Sequence, residues 1–406
     1  MKSDVGALPQ HPVDTVDQTF ESLGLSAPIL ECIRHVGFEH PTAIQAEVIP
    51  PALAGRDLIG LAETGSGKTA AFVLPIAERL THGRGIRGLI ICPTREIALQ
   101  TKAFLDLFGE KHHLRTVCLI GGVALQPQVQ SLRSRVDIVV ATPGRLADHL
   151  RRSHLRLDAV QELVLDEGDH MLDLGFLPQV EEILRALPRQ RHTMMFSATM
   201  PGPIERLAQR FLQDPVRIDI LPAGKAAHGL SHRLYLVSSS DKKACLLALL
   251  HQELGSTLVF IRRKMDADWL FRVLQREGHP VERLHSDRTQ VQRVEAMRSF
   301  RAGEHRILVA TDIAARGIDV PGIQHVINFD MPETVEDYIH RGGRTGRGTA
   351  LGIVSTIGTW MDKPLVRQIE LALGAAIPRC TVLGVEPYIE MQPKRLGRGR
   401  RPLRRR

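Results

Sequence analysis

Aromatic residues are scarce, only 4% of the 406-residue chain. Recognition of nucleobases by stacking on exposed rings, the habit of many single-strand modules, is therefore not expected. Cysteine is also sparse. Cys32, Cys92, Cys118, Cys245 and Cys380 are odd in number and widely spaced, with no CxxC pair. Neither a zinc site nor a disulfide framework is indicated, and a reducing cytoplasm fits this usage. The 18 histidines show no HExxH or comparable pairing, so most are expected to be surface or structural. No apolar run is long enough to span a membrane. Residues 1–19 lack the apolar core of a secretion signal and are expected to be flexible.

What is present is a regular alternation of short apolar runs with longer, helix-like stretches. The first half offers DLIGLA (57–62), GLIICP (88–93), VCLIGG (117–122), DIVVATP (137–143), ELVLDE (162–167) and TMMFSAT (193–199). The second half offers TLVFI (257–261), VERLHS (281–286), RILVATD (306–312), HVINFD (325–330) and GIVSTI (352–357). Runs this short and β-branched read as strands buried on both faces, hence parallel sheets covered by helices. Two series predict two α/β domains, over 20–220 and 232–375. The Gly/Pro/Ala-rich stretch within 219–232 supplies a linker over 221–231. Nearly every run ends in glycine or polar residues. In open parallel sheets the binding crevice lies at that carboxyl rim.

Two of these rims carry recognisable chemistry. AETGSGKT (62–69) follows the first run. Its glycines let backbone N–H groups close around phosphate oxygens, with Lys68 reaching the outer phosphates and Thr69 placed for Mg²⁺. The strict pattern wants glycine where Ala62 stands. In LVLDEGD (163–169), Asp166 and Glu167 sit at a strand exit, where one carboxylate can bind a metal and the other position water. Together the segments predict binding and hydrolysis of a nucleoside triphosphate. The second domain has no phosphate loop but carries HRGGRTGRG (340–348), with Arg341, Arg344 and Arg347 among glycines. Guanidinium groups suit triphosphate oxygens and the charge that develops in phosphoryl transfer.

The ordered series of motifs resembles the DEAD-box ATP-dependent RNA helicases. The match covers roughly 20–360: Phe20 with GFEHPTAIQ (37–45), AETGSGKT, PTREIALQ (93–100), Gly121-Gly122, TPGRL (142–146), DEGD (166–169) and SAT (197–199). It continues through VFIRRKMDADWL (259–270), HSDRTQVQR (285–293), ATDIAARGID (310–319) and HRGGRTGR (340–347). The compact core and short basic tail resemble bacterial members, of the RhlE-like kind. The resemblance implies two tandem RecA-like domains with ATP and Mg²⁺ between them.

By the same resemblance, Phe38 and Gln45 recognise adenine. Ala62, Glu63, Thr64, Gly65, Ser66, Gly67, Lys68 and Thr69 enclose the phosphates. Asp166 and Thr69 hold Mg²⁺, and Glu167 orients and deprotonates the attacking water. Arg344 and Arg347 are arginine fingers, with Asp312 and Gly317 near ribose and phosphates. Asp169, Ser197, Thr199 and His340 link hydrolysis to the domain interface. The RNA-binding set is Thr94, Arg95, Gly122, Thr142, Gly144, Arg145 and Thr311. These are hydroxyls, guanidiniums and glycine amides, suited to phosphates and 2′-hydroxyls and to little sequence preference.

Two positions depart from the family pattern. Gly168 stands where the family has Ala, and Gly342 where it usually has Ile. Neither removes a charged or hydrogen-bonding group, so an active ATP hydrolase is expected. The net charge of +8 equals the eight Lys and Arg of KRLGRGRRPLRRR (394–406), which holds no acid. The segment 376–406 is expected to be a disordered basic tail that tethers RNA, or else one that only solubilises. The expected activity is RNA-stimulated ATP hydrolysis with local unwinding of short duplexes and remodelling of RNA–protein complexes. The alternative is an ATP-gated RNA clamp or assembly factor.

Overall fold

The computed structural model describes residues 18–62, 65–80, 83–109, 113–220, 230–315, 322–346 and 352–385. The first sheet contains β1 (Leu58–Leu61), β2 (Gly88–Ile91), β3 (Thr116–Leu119), β4 (Ile138–Ala141), β5 (Glu162–Leu165), β6 (His192–Ser197) and β7 (Val216–Asp219). Their order is β3-β4-β2-β5-β6-β1-β7, and each neighbouring pair runs parallel. The second sheet contains β8 (Leu230–Leu236), β9 (Thr257–Phe260), β10 (Val281–Leu284), β11 (Ile307–Ala310), β12 (His325–Asn328) and β13 (Gly352–Gly358). It is also parallel, in the order β10-β11-β9-β12-β13-β8.

The central strands are largely apolar because both faces of each sheet are covered. In β4, Ile138 and Val140 enter one core while Val139 and Ala141 enter the other. The same alternation sends Leu258 and Phe260 of β9 to one side and Val259 to the other. A side-chain period of two makes this division automatic once the strand is central. Helices Lys68–Arg79, Arg95–Gly109, Pro143–Arg151 and Gly168–Asp173 begin just after β1, β2, β4 and β5. Their N-termini therefore gather on one rim, where unsatisfied N–H groups face outward.

Two strands escape the sequence reading, and both are at sheet edges. In β7 (VRID) only Ile218 is buried, and in β8 (LSHRLYL) only Leu234 and Tyr235. Strands that bury this little do not read as continuous apolar runs. The second domain consequently begins at Leu230 rather than 232, and 221–229 lies outside the described residues. Its far end also extends beyond 375. Ile377 and Val382 are buried, the Leu234 N–H donates to the Pro378 carbonyl at 2.9 Å, and the Cys380 N–H donates to that of Leu234 at 2.8 Å. The start of the expected tail thus lines the β8 edge. Residues 386–406, with all eight tail cations, lie outside the described residues, as do 1–17.

Candidate functional site

The exit of β1 is shaped by two glycines in the left-handed region, Gly65 (φ 89°) and Gly67 (φ 98°). A Cβ on Gly67 would stand 2.5 Å from Gln45 Nε2, so this turn requires glycine on both steric and conformational grounds. The Lys68–Arg79 helix starts immediately after it. Lys68 is buried and donates from Nζ to the Ala62 carbonyl at 2.9 Å. Ser66 Oγ is buried with no partner among the described residues, and Thr69 is half-buried beside it. Glu63 and Thr64 lie outside the described residues. Gln45 uses both ends of its carboxamide here. Oε1 accepts from the Thr42 N–H at 3.0 Å, and Nε2 donates to the Gly67 carbonyl at 3.1 Å. Phe38 packs with ring centroids 6.4 Å from Phe20 and 6.1 Å from Phe104.

At the exit of β5, Asp166 and Glu167 are both buried. Burial raises the Asp166 carboxyl, the neighbouring Glu167 charge raises it further, and Lys68 opposes both. Burial also acts to raise Glu167. There the hydrogen bond and charge of His170, with Lys68 and Arg344, outweigh burial and lower it. The two neighbouring acids are thus shifted in opposite directions, and Asp166 Oδ1 has no hydrogen-bond partner among the described residues. Such a pair suits a cation. Among the described residues no group of three or more His, Cys, Asp or Glu could cage a metal. One carboxylate and a hydroxyl instead suit Mg²⁺ shared with substrate phosphates, so Asp166 and Thr69 fit that ion.

The next turn is clamped to β6. The Asp169 N–H donates to Ser197 Oγ at 3.0 Å, and Asp169 Oδ2 accepts from the Thr199 N–H at 2.8 Å and Oγ1 at 3.0 Å. His170 Nδ1 lies 3.0 Å from Glu167 Oε2. Glu167 itself has φ 51° and ψ 59°, a strained conformation for a non-glycine residue. A cavity is lined by Lys68, Glu167, Asp169, His170, Asp173 and Ala198 of the first domain and by His340 and Arg344 of the second.

The arginines at three-residue spacing have separate fates. Arg344 lines the cavity. Arg341 is buried, with bonds of 2.6 and 2.7 Å to the two oxygens of Asp312, 3.0 Å to Asn328 Oδ1, and its guanidinium 4.9 Å from the Phe260 ring centroid. Both oxygens of Asp312, expected beside a ribose, are engaged by Arg341. The Arg341 side chain is enclosed within the second domain by these contacts. Gly317 and Arg347 lie outside the described residues.

A second polar surface runs along the same rim. Thr94 and Thr142 are nearly buried, and Thr142 Oγ1 accepts from the Gly121 N–H at 3.4 Å. The Arg95 guanidinium lies over Gly122, where a Cβ would come within 2.0 Å of it. Arg145 donates to the Val123 carbonyl at 2.9 Å. Space beside Gly144 is open, and Thr311 is nearly buried at the exit of β11. Burial, then the Arg293 charge and also that of Arg145, lower Arg95 against the opposing pull of Glu96. Gathered cations of this kind suit a polyanion.

Glu96 binds the second domain through Arg293 at 2.9 Å and Gln290 at 3.3 Å. The sequence reading left out Glu96, Gln290, Arg293 and His170 as site residues. The i,i+3 placing of Gln290 and Arg293 on one helix face was the available signal.

Residues 42–207 match the DEAD/DEAH box helicase family and 241–349 the helicase conserved C-terminal domain. The chain is 40% identical over 379 residues to the DEAD-box ATP-dependent RNA helicase CshA of Bacillus cereus, covering 93% of this chain and 72% of the relative. The chain belongs to the DEAD-box RNA helicases. It is an ATP-hydrolysing RNA helicase built on two RecA-like domains. Among solved structures, S. cerevisiae Dbp5 bound to RNA and ADP BeF3 superposes with a TM-score of 0.81 at 28% identity, covering 89% of this chain and 95% of that one. A DEAD box protein from Methanococcus jannaschii gives 0.52 at 37% identity, covering 89% and 99%. No helix of the helicase's described residues is long and apolar enough to cross a membrane.

Proposed function

We propose that this helicase couples RNA-stimulated ATP hydrolysis to closure of its two domains, locally separating short RNA duplexes and remodelling RNA–protein complexes. The observation that carries the reading is the cavity shared by Lys68 and Glu167 of one domain and His340 and Arg344 of the other. A site assembled from both domains is complete only when they close, so substrate binding energy becomes motion. Two further observations support it. Glu96 bridges to Arg293 across the boundary, and the domain arrangement superposes better on nucleotide- and RNA-bound Dbp5 than on the more identical M. jannaschii chain.

In this reading the Gly65–Gly67 turn with Ala62, Glu63, Thr64 and Ser66 encloses the ATP phosphates, and Lys68 meets the outer ones. Phe38 and Gln45 recognise adenine, Gln45 from its place against the Gly67 carbonyl. Gln45 reads the base only by exchanging one of its present bonds to Thr42 and Gly67. Asp166 and Thr69 hold Mg²⁺, which when bound neutralises charge on the phosphate oxygens. Glu167 is the base toward water. Arg344 and Arg347 address the charge that develops on the transferred phosphoryl group, and Gly317 belongs to the same nucleotide site. Asp169, through Ser197 and Thr199, holds the turn that carries Glu167, and His340 meets it from the second domain.

RNA is held along its backbone by Thr94, Arg95, Gly122, Thr142, Gly144, Arg145 and Thr311, and the basic tail adds sequence-independent attraction. The second reading is an ATP-gated clamp that holds RNA without separating strands. Strand displacement on a short tailed duplex, with ATP and with a non-hydrolysable analogue, decides between them. Displacement with ATP supports unwinding. Retention of RNA without displacement supports the clamp.

A further inference from the structure

His170 has no role in the mechanism above, yet it touches its central carboxylate. The imidazole is 5% exposed and lines the cavity with Lys68, Glu167, Asp173, His340 and Arg344. Its Nδ1 lies 3.0 Å from Glu167 Oε2, and its Nε2 is buried with no partner among the described residues. An ionised carboxylate only accepts, so Nδ1 carries the proton of this bond. Glu167 needs such a partner. Its backbone sits in the left-handed region at φ 51°, and a carboxylate on a strained turn is placed by its contacts rather than by its rotamer alone.

We propose that His170 is a positioning residue for the hydrolysis step, holding Glu167 through Nδ1–H···Oε2 so that water activation falls to Oε1. The inference rests on Glu167 being the base. In the step, a water O–H bond breaks as its proton passes to Glu167, the water oxygen bonds to the γ-phosphorus, and the P–O bond to the β-phosphate breaks so that ADP leaves with its electron pair. His170 keeps its own proton throughout. The anchoring is continuous with the fold. Asp169 ties this turn to Ser197 and Thr199, and Asp169 Oδ1 accepts from the His170 N–H at 3.0 Å. The exit of β6 thereby fixes the imidazole, and the imidazole fixes the carboxylate.

The test compares His170→Ala, His170→Asn and His170→Gln in the full chain, with kcat, KM for ATP and RNA affinity measured at saturating partner. Asparagine places an N–H close to the Nδ1 position, whereas glutamine places it one bond further out. His170→Ala is expected to lower kcat by about 10–100-fold, the usual effect of losing a partner that orients a functional ligand. KM for ATP and RNA affinity should hold. His170→Asn should recover most of the rate and His170→Gln little of it, so the order of the two amides decides even if the alanine variant does not fold. In a Glu167→Gln background, His170→Ala should bring no further fall in the residual rate. Parental kcat in His170→Ala, equal rates for Asn and Gln, or an additive loss in the Glu167→Gln background would each overturn the proposal. Parental turnover by Glu167→Gln alone would instead remove the reading of Glu167 on which it rests.

Discussion

Glu96 of the first domain and Arg293 of the second form an ion pair at 2.9 Å, with side chains 13% and 11% exposed. Glu96→Gln removes the anion that Arg293 pairs with across the domain boundary, next to the Arg95 charge. The RNA concentration for half-maximal ATPase stimulation should rise about tenfold, equivalent to roughly 1.4 kcal/mol of lost coupling. Titrating RNA against ATPase rate checks it, and an unchanged midpoint would show that the pair does not contribute to closure.

Lys68→Ala and Glu167→Gln should fail at different steps. The first removes the cation that meets the phosphates and should abolish productive ATP binding. The second keeps shape and binding, stops turnover and accumulates an RNA-bound closed state. Nucleotide binding measured alongside single-turnover hydrolysis separates the two.

Arg344→Ala should depress kcat far more than ATP affinity, because a finger arginine acts on charge that appears in the transition state. Losses of roughly 10³–10⁵ in rate accompany removal of such a group in phosphoryl transfer. A change confined to ATP Kd would place this arginine in ground-state binding.

Gly168→Ala should fold and stay active. A Cβ there meets Ile204 Cγ2 at 3.5 Å and Ser197 Oγ at 3.7 Å, ordinary van der Waals contact, and the residue does not need positive φ. Lower unfolded-state entropy should add about 0.4–1 kcal/mol of stability. A melting temperature below that of the parent contradicts this.

Deleting 394–406 should weaken RNA binding and spare kcat at saturating RNA. Eight cations lie in that segment, each able to release about 0.7 counterion per single-stranded phosphate it neutralises. With half of them engaged, the slope of log K against log[salt] should flatten by roughly 3 units. Affinities from low to moderate salt for both chains give the slope directly, and an identical slope assigns the tail to something other than RNA.

The central strands were legible in the sequence because both their faces are buried, so hydrophobic runs and strands coincide. The strands β7 and β8 were not, since only Ile218 of the first and Leu234 and Tyr235 of the second are buried and the start of β8 has the composition of a linker. Lys68, Glu167 and Arg344 stood out because their motifs carry spacing. Which arginine turns inward was not readable. Arg341 lies in the last turn of the Val335–Gly342 helix and Arg344 just beyond it, and the Asp312 that engages Arg341 comes from a different strand exit. Contacts such as Glu96 with Arg293, or His170 with Glu167, depend on how turns and domains meet, which periodicity does not encode.

The enclosure of Arg341 by Asp312, Asn328 and the Phe260 ring divides one short motif into two kinds of vulnerability. Its charge is cancelled within the second domain, so exchanging it for lysine would lose a bidentate fit inside a packed core and show itself in a melting curve. The same exchange at Arg344, three positions on, alters a side chain that lines the cavity between the domains and should show itself chiefly in the rate of turnover. Inherited or engineered changes in this motif can therefore be sorted by calorimetry before any helicase assay is run.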